Sequence, residues 1–268
     1  MSFTVLMVVS KKRREIIPNE TKWAPSHKGR QKLAGKEYSI RSEEDQSELP
    51  DGFRHAGREI IEEFEALIPD LNGYNVSKYM RSVRVQFPFD GSVAVSALKN
   101  PQKLNFELKK IAKKVPGGFR RSFNGSPAEV GDLIDGTFKH AIEESGTMNN
   151  ADRVTKFHDI FDVSVVGCCD GMLNGRPVEV KSVSVLNSQK VMLNLAKNWF
   201  QFAAYNWLYG QSPIIVMVCR DTLEIEVIEL EKDMVEVAMK NWSEWGSNSN
   251  RISNDAKVPV RLDKALVK

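Results

Sequence analysis

Apolar periodicity along this chain is concentrated in its second half. Ser126-Pro-Ala-Glu129 has the form of a capping box with proline at the first helical position, so a helix is expected to start there. Its apolar stripe runs through Val130, Leu133, Ile134, Thr137, Phe138, Ala141 and Ile142. Val163–Met172 and Arg176–Val185 read as the two strands of one hairpin, and Gln189–Tyr209 as a long amphipathic helix whose apolar side includes Leu193, Ala196, Phe200, Ala203 and Leu208. Pro213–Cys219 and Leu223–Leu230 read as buried strands joined at Arg220-Asp221, and a closing helix near Lys232–Trp245 carries Trp242 and Trp245. This order predicts an α/β fold, a mixed β-sheet flanked by helices.

The first half is less regular. A strand at Phe3–Val9, a helix over His55–Leu67, a strand at Val83–Phe87 and a basic helix over Pro101–Lys114 are expected, separated by polar sequence rich in Lys, Ser, Glu and Pro. The division this suggests is an N-terminal region, 1–125, serving as basic arm, lid or small subdomain; a core, 126–250; and an irregular tail, 251–268.

Charge changes that picture in one respect. The formal net charge of the 268 residues is only +3, yet residues 1–36 hold nine Lys and Arg against Glu15 and Glu20. A second basic run from Lys103 to Arg121 contains Glu107 as its one acid. Both contact with a polyanion and a solvated face are open readings of each run. Cys168, Cys169 and Cys219 are odd in number and lack C-x-x-C spacing. They cannot build a disulfide framework or a four-cysteine cluster, and a reducing, intracellular compartment is expected. The Phe3–Val9 stretch is too short to span a bilayer and has no cleavage site after it, so neither a membrane partner nor export is expected.

The chemistry is carried by Asp170-Gly-Met-Leu-Asn-Gly-Arg-Pro-Val-Glu-Val-Lys181. Asn174-Gly175 is the preferred pair for a type I′ turn, in which both central residues have positive φ. Closing the hairpin there pairs Leu173 with Arg176 and sets Asp170 across from Glu179. Alternation then places Glu179 and Lys181 on one face and Val178 and Val180 on the other. Opposed carboxylates repel unless a positive group lies between them, and a divalent metal would supply it. Mg²⁺ or Mn²⁺ suits such oxygen donors, with the lysine placed to orient a metal-bound water. A Glu-x-Lys triplet alone carries little weight, and Glu107-Leu-Lys109 is a decoy: it lies in a helical pattern with no turn and no opposing acid.

Two helices add polar stripes. Gly136, His140 and Glu144 are spaced four apart on the first, with Glu143 alongside, and the mid-helix Gly136 suggests close approach of a backbone or ligand. Lys197, Gln201 and Tyr205 form a similar ridge on the second, fit for phosphate or base contacts. The order Gly136-Thr-Phe-Lys-His140, Asp170, Glu179-Val-Lys181, Gln201-Phe-Ala-Ala-Tyr205 resembles the PD-(D/E)XK nuclease superfamily, and within it the RecB-type and lambda-exonuclease-like branch. The resemblance covers roughly residues 126–230.

It implies a restriction-endonuclease-like core and a nuclease, exonuclease in type, acting on DNA rather than RNA. His140, Asp170, Glu179 and the Val180 carbonyl would hold Mg²⁺ or Mn²⁺, with Glu143 and Glu144 as further candidates. Asp170, Glu179 and Lys181 would be catalytic, and Gln201, Tyr205 and Lys197 would bind nucleic acid. Two departures stand out. Cys169 replaces the proline before the aspartate, and the cysteines of cluster-bearing relatives are missing, so no iron–sulfur cluster is expected. The alternatives are a structure-selective endonuclease using the same site and an inactive nucleic-acid-binding or assembly protein on the same scaffold.

Overall fold

The computed structural model describes residues 35–73, 84–86, 91–112, 118–120, 153–231 and 233–247, with helical positions 131, 134 and 136–138. The strand expected at Phe3–Val9, the Ser126 capping box and the tail from 251 lie outside them. The fold is α/β, with mixed sheets flanked by helices.

The larger sheet is built around β9 (Arg176–Val183), β10 (Ile214–Cys219) and β11 (Glu224–Leu230). β9 and β10 are parallel and joined through α3 (Ser188–Tyr209), while β10 and β11 form an antiparallel pair turning at Arg220-Asp221. β8 (Gly171–Leu173) closes one edge against β9. At the other edge β11 is shared by β1 (Ser39–Ile40), parallel, and β2 (Phe53–His55), antiparallel. A second sheet has the order β4 (Ser92–Ala94), β7 (Val163–Gly167), β6 (Val154–His158). β3 (Arg84–Gln86) pairs with β5 (Gly118–Arg120) as a separate ribbon. Strand pairing thus crosses the expected boundary at residue 125, because segments before it supply strands to both main sheets.

The two faces of the larger sheet follow from side-chain alternation. Val178, Val180, Ile214 and Val216 pack with Phe64 and Leu67 of α1 (Arg58–Gly73) and with Ile134 and Phe138. The other face meets α3 and α4 (Met234–Ser247), with Ile215, Met217, Phe202 and Trp242 in its core. α3 begins where Asn187 Oδ1 accepts the Lys190 N–H at 2.9 Å and ends at Gly210, whose φ of 72° forms a left-handed cap. Val191 and Leu195 are buried in its first turns, whereas Leu193, expected on the apolar side, is 54% exposed. The remaining expected helices are present as α1, starting at Arg58 because His55 belongs to β2, and α2 (Pro101–Ala112).

One expectation needs correction. Val163–Met172 is not a single strand: β7 belongs to the smaller sheet and β8 to the larger, with Cys168, Cys169 and Asp170 passing between them. Where the ladder is interrupted, α3 supplies the partners. The Cys168 carbonyl accepts from the Tyr205 hydroxyl at 3.3 Å, and the Cys169 N–H donates to the Tyr209 hydroxyl at 3.3 Å.

Buried acids on β11 fasten the N-terminal segment. Glu226 accepts from the Ser47 N–H and hydroxyl, both at 2.9 Å, and from Arg41 at 3.3 Å. Glu229 pairs with Arg176 at 2.7 Å and Arg54 at 3.4 Å.

His158, at the end of β6, is 1% exposed and stacks between Phe161 and Trp207, with Trp242 edge-on. Neither ring nitrogen has a hydrogen-bond partner among the described residues, and burial lowers its pKa to about 4. The unfolded chain therefore binds a proton below about pH 6.5 that the folded chain refuses. Stability is complete above that pH and is lost as pH falls toward 4. We expect His158 to contribute about 2 kcal/mol of destabilisation between pH 7 and 5. Urea unfolding of wild type and His158→Leu at both pH values checks this: the variant's loss should be smaller by that amount, and equal losses would refute it.

Candidate active site

The turn at residues 174 and 175 sets the register. Asn174 has φ 49° and Gly175 φ 78°, the pair of positive values that a type I′ loop requires. Leu173 then pairs with Arg176, Met172 with Pro177 and Gly171 with Val178. The ladder ends at Gly171, and Asp170 is bonded to β9 on either side of Glu179. Its N–H donates to the Val178 carbonyl at 2.8 Å, and its Oδ2 accepts the Val180 N–H at 2.7 Å. The side chain thus replaces a ladder acceptor where the strand leaves for the other sheet. Asp170 and Glu179 are both buried, 8% and 4% exposed.

Glu179 and Lys181 lie on the α3 side of β9, as alternation requires. Lys181 Nζ donates to Glu179 Oε1 and, at 3.3 Å, to the Val180 carbonyl. Glu179 Oε1 also accepts from Gln201 Nε2 at 3.0 Å, and the same amide lies 3.4 Å from the Tyr205 hydroxyl. Gln201 and Tyr205 are therefore buried beneath the carboxylate, and their hydrogen bonds run to Glu179, to each other and to the Cys168 carbonyl. Burial raises the Tyr205 phenol well above its usual pKa, and the negative charges of Glu179 and Asp170 reinforce the shift. The Cys169 thiol is pushed up to about 12, again chiefly by burial and with both carboxylates adding.

Lys197 stands apart, exposed on the neighbouring stripe of α3. The buried polar stripe runs instead through Asn198, Gln201 and Tyr205, with the half-buried Asn194 one turn before. Asn198 Nδ2 donates to the Asn194 carbonyl at 2.8 Å, and Asn198 Oδ1 accepts from Lys99 Nζ at 2.7 Å. Lys99 ends the 3₁₀ helix Val95–Lys99, which packs on α3. Its pKa is lowered to about 8, first by burial and then by Lys181 and Lys103, with Glu179 acting the other way. Neither Asn198 nor Lys99 carried a sequence signal, because Lys99 is distant in the chain and no motif precedes it.

His140, Glu143 and Glu144 lie outside the described residues. Among the described residues, no neighbouring heavy atom comes within 4 Å of a Cβ built on Gly136. Among the described residues no three His, Cys, Asp or Glu side chains form a metal-holding group. The oxygen donors that neighbour one another along β9 are the carboxylates of Asp170 and Glu179 and the carbonyl of Val180. All are oxygens, and two carry charge in a buried setting, a set that fits Mg²⁺ or Mn²⁺ better than a soft metal.

No family model matches the chain, and no curated protein matches it. Among solved structures, SSO0001 aligns at 15% identity and a TM-score of 0.44, covering 73% of this chain and 87% of that one. No helix among the described residues is long and apolar enough to cross a membrane.

Gly167 fixes the distance between this strand and α3. A Cβ there would lie 2.7 Å from Leu208 Cδ2 and from Val95 Cγ2, and 3.2 Å from Tyr205 Cε1. Gly167→Ala should therefore cost about 1–3 kcal/mol by forcing these side chains apart. Chemical denaturation measures the loss, and a change below about 0.5 kcal/mol would show that the contact is not constraining.

Proposed function

We propose that this protein is a metal-dependent nuclease that hydrolyses phosphodiester bonds in DNA, exonuclease in type. One observation carries the reading: Asp170 is bonded to Val178 and Val180, the two neighbours of Glu179, with Lys181 on the Glu179 face and bonded to that carboxylate. Two buried acids facing each other destabilise a sheet. An arrangement that retains them beside a lysine is suited to chemistry on a phosphate.

Asp170, Glu179 and the Val180 carbonyl would hold Mg²⁺ or Mn²⁺, with His140 as a further ligand. Such an ion lowers the pKa of a bound water and offsets charge on the phosphate. Lys181, partly exposed and tethered by Glu179, orients the attacking water and stabilises negative charge developing on the phosphate oxygens. Gln201 holds Glu179 in place through its 3.0 Å bond, and Tyr205 ties that amide to Cys168, two residues before Asp170. Their part is positioning, which differs from the groove-lining role implied by the family resemblance. Lys197, exposed on the same helix, remains available to the sugar–phosphate backbone.

Glu179→Ala and Lys181→Ala should each reduce Mg²⁺- or Mn²⁺-dependent cleavage by at least about 100-fold while leaving the far-UV circular dichroism unchanged. Linear and closed circular DNA are the substrates, since loss of linear DNA alone marks an exonuclease. Unaltered cleavage by both variants overturns the site.

Asp170→Asn keeps an acceptor for the Val180 N–H but removes a charge. Calorimetric titration with Mn²⁺ should show at least about tenfold weaker binding than wild type. Equal affinity would exclude Asp170 as a ligand.

A further inference from the structure

We infer that Lys99, tied to α3 through Asn198, and Lys103, one turn further along the N-terminal half, form with Lys197 a track for the DNA backbone leading away from the Asp170–Glu179 site. The inference rests on the nuclease reading of that site and extends it to how the strand is held.

The placement follows from α3. Gln201 touches Glu179, and Asn198, one turn earlier on the same stripe, touches Lys99. Residues three apart on a helix have Cβ atoms roughly 5–6 Å apart, so the Lys99 ammonium sits one turn from the group that holds the carboxylate. Asn198 is itself buried, at 5% exposure, and Asn194 fixes its amide through both its carbonyl, at 2.8 Å, and its side chain, at 2.9 Å. Lys99 is thus held in one place by a chain of neutral amides.

A structural lysine would ordinarily be paired with an acid. Here the groups acting on Lys99 include three further lysines, Lys181, Lys103 and Lys197, against Glu179 alone. Lys103 lies one turn into α2, exposed, with its amine 3.3 Å from the Ser96 hydroxyl. These four positive side chains come from four elements, the 3₁₀ helix, α2, β9 and α3, and an anion placed among them relieves their mutual repulsion. A strand of phosphates spaced along the groove is the anion that this geometry suits. The distance between Lys99 and Lys181 in sequence explains why the two basic groups do not form a recognisable run.

Binding in EDTA tests the track apart from cleavage. A fluorescein-labelled 20-nucleotide single strand is titrated with full-length protein across a series of NaCl concentrations, reading anisotropy. Wild type should show a negative salt slope. Lys99→Gln and Lys103→Gln should each reduce its magnitude by about 0.7, the double variant by about 1.4. Affinity at the lowest salt should fall about fivefold for each, and Lys240→Gln on α4 should match wild type. Lys99→Arg should restore the slope, which a purely structural tie to Asn198 has no reason to do. If Lys99→Gln unfolds, Lys103→Gln alone decides, since its amine bonds only at the surface.

Unchanged slopes in folded variants overturn the track, and they leave the nuclease reading intact if wild type cleaves DNA with Mg²⁺ or Mn²⁺. Reduced slopes with no cleavage under either metal support the track and overturn the nuclease reading. Absence of salt-dependent binding by wild type overturns the track outright.

Discussion

Asp170 holds the centre of this molecule by making two bonds to one strand. Its N–H donates to the Val178 carbonyl and its carboxylate accepts from the Val180 N–H, so it spans Glu179 from both sides. A buried carboxylate that accepts a backbone N–H is a strong interaction in a setting of low dielectric. It also sets a geometric limit. The chain must stop pairing as a ladder there, because the side chain has taken the position of a main-chain acceptor. The path from β7 into β8 therefore breaks at residues 168–170, and the chain passes from one sheet to the other.

That break explains much of what α3 does. The Cys168 carbonyl and the Cys169 N–H, released from the ladder, are satisfied by Tyr205 and Tyr209 one helical turn apart. Gln201, one turn before Tyr205, meets Glu179. The spacing that satisfies the broken strand is the same spacing that positions the acid. Gly167 lets the helix come close enough for both, since a side chain there would collide with Leu208 and Val95. Packing and chemistry share one contact surface, so changes to either are felt by the other.

The N-terminal half joins this arrangement through charge and strand pairing. β1 and β2 add to β11, and the acids at Glu226 and Glu229 meet Arg41, Ser47 and Arg54 beneath them. Buried acids are costly unless paired, and these pairs specify where the segment docks. β4 and the helical turn that follows it extend the second sheet and bring Lys99 to α3. A segment without an interpretable motif of its own thus delivers a charged group to the site.

Local chemistry was enough to read much of this. An Asn-Gly pair between strands dictates a turn with two positive φ values, and the turn fixes register by counting from Leu173–Arg176 to Gly171–Val178, so the pairing of β8 with β9 was legible. Period and length likewise located α3, β10, β11 and α4 to within a few residues. What sequence could not contain was any relation between distant segments. An apolar run over Val163–Met172 looks the same whether it stays in one sheet or crosses to another, because the hydrogen bonds at the crossing come from Val180, Tyr205 and Tyr209. The buried stripe of α3 passes through Asn198 rather than Lys197 because Lys99, ninety-nine residues away, packs against it. Tertiary structure alone made those choices, since burial and partnership depend on which surfaces meet, and periodicity describes only one of the two.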